Sequence, residues 1–130
     1  MEDRIRELSK YRFETSLENL EDARIMYENG RYKNALNRAY YSIFHAIRSV
    51  DALDGFDSSK HSGVISHFNQ NHVKTGDFEP ETSSVIKRAS MMREKSDYED
   101  FYEPEKEDVE RTISEVSYFL SAVKEYLKTR

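Results

Sequence analysis

The sequence of 130 residues contains no cysteine. Disulfide bonds, thiolate metal ligands and cysteine nucleophiles are therefore excluded, and a reducing compartment suits the chain. There is also no apolar run near the ~20 residues that a membrane-spanning helix needs. Residues 1–10 form a charged, helix-like pattern without the apolar core of a signal peptide. We therefore expect a cytoplasmic protein.

Helix-breaking residues are scarce. The chain has two prolines and four glycines, and no alternating strand pattern extends beyond a few residues. With 37% hydrophobic and 35% charged residues, the composition suits one soluble domain, 1–130. We predict an all-α fold, an antiparallel up-and-down helical bundle of four to five helices.

Apolar spacing and turn residues predict where these helices lie. The first covers about residues 3–28, with an apolar stripe that includes Leu17, and the second covers about residues 31–53. A short helix follows cap residues 57–59, another begins at Pro80, and Pro104 opens the last. Residues 94–103 are the least regular segment, so we expect the preceding helix to end near Arg93.

Charge is distributed unevenly along the chain. The net charge is −5, yet residues 31–48 contain four basic residues and no acid, whereas residues 94–110 contain nine acids and two lysines. The basic stretch is consistent with an anion site, or with pairing to the acidic stretch in a dimer. Solvated faces of separate helices are the ordinary alternative.

The second predicted helix has two contrasting faces. At 100° per residue, an apolar row centred on Tyr40 lies opposite a polar row of Arg38, Ser42, His45 and Ser49. Because most of the circumference is apolar, we expect the polar row to face a cleft or a partner chain. The alternative is that Arg38 and His45 satisfy buried hydrogen bonds and acids.

Three segments in order resemble one family, the HEPN domain. They are Arg38-Ala39-Tyr40-Tyr41-Ser42-Ile43-Phe44-His45-Ala46, Lys60-His61-Ser62-Gly63-Val64-Ile65 and Arg93-Glu94-Lys95-Ser96-Asp97-Tyr98. The closest resemblance is to the small stand-alone prokaryotic branch, which is largely uncharacterised. It implies a homodimer with a cleft at its interface, often paired with a minimal nucleotidyltransferase.

Active HEPN nucleases carry an arginine, four to six residues and then a histidine, and they cut RNA without a metal. Counted from Arg93, the histidine positions are Tyr98, Glu99 and Asp100, so the motif is degenerate. The ordinary pKa is about 10 for tyrosine and about 3.9 for aspartate, which suits neither for efficient proton transfer near pH 7. Arg93, Asp97 and Tyr98 are the candidate catalytic residues. If the helix continues, Asp97 lies one turn beyond Arg93 and is placed to pair with it.

Candidate phosphate-binding residues come from all three segments. Arginine binds phosphate directly, and Lys60 with His61 lies at a predicted helix N-terminus, where free amides attract anions. The alternative there is a helix cap beside a surface histidine. The candidates are Arg38, His45, Lys60, His61 and Arg93.

Three functions compete. The leading hypothesis is a dimeric HEPN-type domain that binds a nucleotide, RNA or a partner nucleotidyltransferase in a toxin–antitoxin-like system, with its nuclease motif degenerate. The second is an active, metal-independent ribonuclease toxin in which His45 or His61 supplies the missing proton transfer. The third is a structural subunit whose acidic segment docks a partner.

We expect neither a metal nor a cofactor. His67 and His72 are five residues apart and lack an acidic companion at ligand spacing.

Overall fold

The computed structural model describes residues 2–130, which contain five α-helices and no strand. The helices are α1 (Glu2–Glu28), α2 (Tyr32–Leu53), α3 (His61–Phe68), α4 (Glu81–Tyr98) and α5 (Lys106–Lys128). The predicted all-α class is confirmed. None of these helices is long and apolar enough to cross a membrane.

The four long helices form five packed pairs. One of them, α2 with α5, is parallel, because Ala35 and Leu36 at the start of α2 pack with Val109 at the start of α5. In the other four pairs, residues early in one helix contact residues late in the other. Between α1 and α2 the contacts are Ser9 with Ser49 and Ser16 with Ser42, and between α1 and α5 they are Tyr27 with Glu110 and Arg24 with Ser117. Between α2 and α4 they are Asn37 with Asp97 and Tyr40 with Arg93, and between α4 and α5 they are Arg88 with Glu115 and Met92 with Thr112. The up-and-down helical bundle is confirmed, with α3 as a short helix beside the four long ones.

The helix α2 is the centre of the core. Its predicted apolar face is fully buried at Leu36, Tyr40, Ile43 and Ile47, and α5 adds valines to the same core. Every other helix packs against α2 or against a helix that does. Side chains that remain at the surface of α2 are therefore held by a rigid element.

The α1–α2 contact differs from the prediction. Leu17, placed in an apolar stripe from the sequence, is 45% exposed, and serines are buried instead. Ser42 donates a hydrogen bond to the carbonyl of Ser16, and Ser9 donates one to the carbonyl of Ser49, each at 2.7 Å. Small side chains let the two backbones approach closely. The expectation that Ser42 and Ser49 face a cleft or a partner chain is therefore wrong.

The helix α4 continues into the first half of the segment predicted to be irregular, residues 94–103. It reaches Tyr98 and ends at Glu99, whose backbone is extended. Asp97 secures the last turn, because it accepts hydrogen bonds from Arg93 of the same helix and from Asn37 of α2. The predicted helix end near Arg93 is therefore wrong, and the irregular segment shortens to residues 99–105.

The helix α3 extends beyond Phe68 as a π-helical turn, Asn69–Val73. The N–H of Lys74 donates to the carbonyl of Asn69, five residues earlier, at 2.9 Å. A π-helical turn carries residues five apart on nearly the same face, which an α-helix does not. The prediction that this helix ends before residue 75 is confirmed.

Replacing Ser42 tests the close α1–α2 contact. We expect Ser42→Leu to lower the free energy of unfolding by about 1–3 kcal/mol, because the larger side chain has no room between the helices. Urea unfolding measures the change. Ser114→Leu, at an exposed position of α5, is the control and should change stability by less than about 0.5 kcal/mol. Equal losses in the two variants would contradict the close packing.

Candidate functional site

Most of the predicted site residues lie around one aromatic ring of α2, that of Tyr41. The guanidinium carbons of Arg38 and Arg93 lie 5.2 and 5.7 Å from its centroid. The ring of His61 meets it edge-on at 5.7 Å, and that of His45 lies 6.3 Å away. Four candidates from three helices thus surround one half-buried aromatic ring.

Arg93 is held mainly by aromatic faces. Its guanidinium carbon lies 4.6 Å from the Tyr40 centroid, and its side chain is only 13% exposed. Its one hydrogen bond to residues 2–130, from Nη1 to Asp97 Oδ2, is 3.5 Å long, and the buried Nε has no partner among them. The predicted pairing with Asp97 is confirmed, but it leaves most guanidinium donors unused. Because unpaired buried donors are costly, a ligand that accepts hydrogen bonds from Arg93 would be stabilising.

His61 begins α3 and faces the same group. Its Nδ1 lies 3.1 Å from the Tyr40 hydroxyl, and its ring packs on Phe44 with centroids 4.1 Å apart. Burial, and then the positive charges of Arg93 and Arg48, lower the pKa of His61 below its ordinary value. The imidazole is therefore neutral near pH 7 and able to accept a proton.

Arg38 is better satisfied than Arg93. Its Nη1 donates to Asn19 Oδ1 at 2.9 Å, and its Nε donates to Asn37 Oδ1 at 3.0 Å. The amide nitrogen of Asn37 in turn donates to Asp97 at 3.1 Å. The alternative from sequence was that Arg38 and His45 satisfy buried hydrogen bonds and acids. Arg38 does make hydrogen bonds, but its partners are amides rather than acids and the bonds are only partly buried. A continuous network joins Arg38 to Arg93 through Asn37 and Asp97.

His45 lies on the same side of α2 as Arg38 and is half-buried. Burial, followed by the charges of Arg48 and Arg38, lowers its pKa. Arg48 extends the positive surface further, with its guanidinium carbon 5.9 Å from the Phe44 centroid. Arg38 and Arg48 of the basic stretch therefore join Arg93 in one cationic surface around the rings of Tyr41 and Phe44, which we call the Tyr41 surface.

A cleft of about 640 Å³ opens beside Tyr40. His61 and Arg93 line it together, with Lys74 and Glu94 among the other lining residues. Arg38, His45 and Lys60 do not line this cleft. Lys60 is exposed and precedes α3, where its backbone N–H donates to Ser58 Oγ. The cleft and the Tyr41 ring are two adjoining parts of one candidate site.

Tyr98 is not drawn into this site. It is the last residue of α4, 77% exposed and five positions after Arg93, which places the two side chains on different helix faces. Glu99 and Asp100 are exposed as well. Within one chain, no residue at the motif's histidine positions reaches the Arg93 cleft.

Comparison with known proteins identifies the family. A family model described as "HEPN domain" matches residues 9–126. The chain belongs to the HEPN domain family. It is 35% identical over 124 residues to the Methanocaldococcus jannaschii protein named "Putative toxin MJ0605", covering 95% of this chain and 92% of that protein. It is 34% identical over 109 residues to a "UPF0332 protein" of Thermotoga maritima, covering 84% and 83%.

Two tyrosines organise the site of this HEPN domain, and neither is among the site residues predicted from its sequence. Tyr40 lies in the predicted apolar row, which is correct for its ring, but its hydroxyl reaches His61. Tyr41 belongs to the first of the three matching segments, where the pattern gives its ring no role. The spacing of Arg38 and Tyr41, three residues apart on a helix, was the available signal, because such pairs meet on one face.

The pKa of His61 tests the electrostatics of the site. We expect His61 to titrate below its ordinary pKa, and Arg93→Ala to raise that pKa by removing a nearby positive charge. NMR titration of the histidine rings measures both, with His61→Gln assigning the signal. Arg88→Ala is the control, because Arg88 is on the same helix but pairs with Glu115. An unshifted His61 signal in the Arg93 variant would contradict this arrangement.

Proposed function

We propose that this HEPN domain binds the phosphate group of a nucleotide or an RNA strand over Tyr41, between Arg38 and Arg93. The observation that carries the proposal is that two guanidinium groups, those of Arg38 and Arg93, lie beside one half-buried ring. The guanidinium group of Arg93 makes only a single long hydrogen bond to residues 2–130. Guanidinium groups bind phosphate through paired N–H donors.

Local charge supports an anionic ligand despite the net charge of −5. Arg38, Arg48 and Arg93 lie on the Tyr41 surface, and the acid that pairs with Arg93 is Asp97. A phosphate at Arg93 competes with a 3.5 Å contact, while Asp97 keeps its hydrogen bond from Asn37. The exchange therefore leaves neither partner buried without a hydrogen bond. Because the attraction is local, affinity should fall as salt rises.

The effect of Arg93→Ala on binding tests the proposal. We expect a loss of affinity of about 10- to 100-fold, the range for a hydrogen bond to a charged group. Fluorescence anisotropy with labelled single-stranded RNA and calorimetry with a nucleoside triphosphate measure the two arms separately. The slope of affinity against salt should fall by about one counterion for RNA.

Arg88→Ala is the matched control, since it removes an exposed arginine from the same helix. It should bind like the parent. Binding by neither probe would overturn the proposal, and so would equal losses in the two variants. Binding of the triphosphate alone identifies a nucleotide site, whereas binding of RNA alone identifies a strand site.

A second function is RNA cleavage, and His61 is the observation that favours it. Of the two histidines considered from sequence, His61 lines the Arg93 cleft and His45 does not. Neutral His61 would take the proton of a ribose 2′-hydroxyl through Nε2. The 2′-oxygen would then attack the phosphorus, the 5′-oxygen would leave with a proton from water, and a 2′,3′-cyclic phosphate would result. Arg93 would bind the phosphoryl oxygens as their charge develops.

His61→Gln separates cleavage from binding. If the protein cuts RNA by this route, the variant should lose cleavage while its RNA affinity changes less than twofold. Gel analysis of RNA ends detects the cyclic phosphate. Arg88→Ala is the control and should cut like the parent, because Arg88 is exposed and pairs with Glu115. Absence of cleavage by the parent eliminates this second function, and it leaves phosphate binding in place.

We also propose that the domain works as a homodimer, as its family implies. Phe101 supports this, because it is 98% exposed and its φ is 62°, in the left-handed region. An exposed aromatic side chain there incurs both backbone strain and loss of apolar burial. A second copy would cover it. The toxin name of the archaeal relatives supports a toxin-like role, and the partner nucleotidyltransferase stays a prediction.

Phe101→Gly tests the dimer. Glycine accepts a positive φ, so we expect monomer stability to be unchanged or raised while the dimer dissociation constant rises at least tenfold. Sedimentation equilibrium measures the dissociation constant, and urea unfolding measures stability. Tyr118→Ala removes another exposed aromatic ring, from α5, and is the control. An unchanged dissociation constant in the Phe101 variant would remove Phe101 from the interface.

A further inference from the structure

Four potential metal ligands meet at the end of α2, away from the Tyr41 surface. Asp51 belongs to the last turn of α2, Asp54 follows it, His67 belongs to α3 and His72 to the π-helical turn. One ligand atom from each of the four lies within 4.8 Å of the other three. The premise that His67 and His72 lack an acidic companion is therefore wrong, because both acids come from a different helix.

The two histidines point the same nitrogen at one carboxylate oxygen. His72 Nε2 lies 2.6 Å and His67 Nε2 lies 2.9 Å from Asp54 Oδ2. The π-helical turn makes this possible, because residues five apart would lie on different faces of a regular α-helix. The ring of His67 is further fixed by Phe56, stacked at 4.0 Å and 7°.

Asp51 distinguishes this group from an ordinary hydrogen-bonded cluster. It is 1% exposed, and both of its carboxylate oxygens lack a hydrogen-bond partner among residues 2–130. The hydrogen bonds of Arg12 go instead to the Arg48 carbonyl and to Asp57. A buried carboxylate without a partner is costly, and a bound cation removes that cost. Burial and then Asp54 raise the pKa of Asp51 to about 8.

His72 also has the support that metal-bound histidines require. Its other nitrogen, Nδ1, lies 2.9 Å from Asp77 Oδ2. A carboxylate at this position holds the proton on Nδ1 and leaves Nε2 free to bind a metal. Since His72 is 3% exposed, its ring has little freedom to turn away.

We propose that Asp51, Asp54, His67 and His72 bind one divalent metal ion of the zinc class. Two imidazole nitrogens and two carboxylate oxygens suit the tetrahedral coordination of zinc, and the two acids balance its charge. With metal–ligand bonds of about 2.0–2.1 Å, tetrahedral ligands lie about 3.3 Å apart. Asp54 therefore has to move away from the histidines by less than about 1 Å, and ligand atoms now up to 4.8 Å apart have to approach one another. The Asp54 side chain is 32% exposed and has room to move.

Metal binding by His67 also requires the side chain of Asn71 to rotate. Its amide nitrogen now faces His67 Nδ1 at 3.3 Å. When Nε2 binds the metal, Nδ1 carries the proton, and the Asn71 side chain turns its oxygen towards it. Asn71 is exposed, so the rotation meets no packing barrier, and it breaks one hydrogen bond, that of the Asn71 amide nitrogen to the His67 carbonyl at 3.0 Å.

The site ties the end of α2 to α3 and its π-helical turn. Its role is structural, because all four positions are filled by the protein and none is left for a substrate. This inference is independent of phosphate binding, since none of its ligands lines the Arg93 cleft. Failure of one proposal therefore leaves the other intact.

Metal binding by the full chain tests the proposal. Protein stripped with EDTA should take up one Zn²⁺ per chain in calorimetry, and Co²⁺ should give the absorption of a tetrahedral complex. The melting temperature should rise on adding zinc and return to its starting value with EDTA. No uptake, or a cobalt spectrum of octahedral form, would overturn it.

Asp51→Asn is the decisive variant because it keeps the shape of the side chain. We expect zinc affinity to fall at least 100-fold, while the melting temperature in EDTA is equal to or above that of the parent, because the carboxyl group makes no hydrogen bond with residues 2–130 that the amide would lose. A purely structural Asp51 predicts a lower melting temperature and unchanged zinc affinity, which would overturn the proposal. His67→Gln should lose zinc binding as well, and His45→Gln, at a histidine outside the group, should bind zinc like the parent.

Discussion

The burial of α2 on almost every side is the constraint on which the rest of this HEPN domain depends. Its apolar face fills the core, and its serines allow α1 to approach so closely that hydrogen bonds cross between the helices. What remains at the surface of α2 is the strip that carries Arg38, Tyr41 and His45. Because the helix beneath it is packed on both flanks, this strip has a fixed geometry. A site built on such an element needs little ordering when a ligand binds.

The electrostatics of the site depend on Arg93, whose guanidinium group has few hydrogen-bond partners. Arg38 donates three of its five N–H groups to amide partners, which hold it in place and leave two for a ligand. Arg93 instead rests on the face of Tyr40, with one long contact to Asp97. Cation–π contact keeps the guanidinium in place without using its N–H groups. Burial, and then the positive charge of Arg93, lower the pKa of His61, so Arg93 influences both the proposed anion site and the neutral imidazole beside it.

The degenerate motif and the fold are consistent with each other. With Tyr98 at the exposed end of α4, the position of the family's histidine lies outside the single-chain cleft. Chemistry at Arg93 then requires either His61 from the same chain or a residue from a second copy. The exposed, left-handed Phe101 lies just beyond that helix end, where a second copy would also have to pack. The proposed dimer and the proposed site therefore involve the same end of the bundle.

The sequence alone determined what depends on local spacing. Helical periodicity predicted the all-α bundle and the buried face of α2, the three ordered segments identified the family, and four-residue spacing predicted the Arg93–Asp97 pair. Tertiary structure decided what depends on separate helices meeting. Buried serines, rather than the apolar stripe predicted to include Leu17, lie between α1 and α2, because a close approach of two helix backbones requires small side chains. The grouping around Tyr41 joins three helices, and the Asp51–His72 group needs a π-helical turn that periodicity does not reveal.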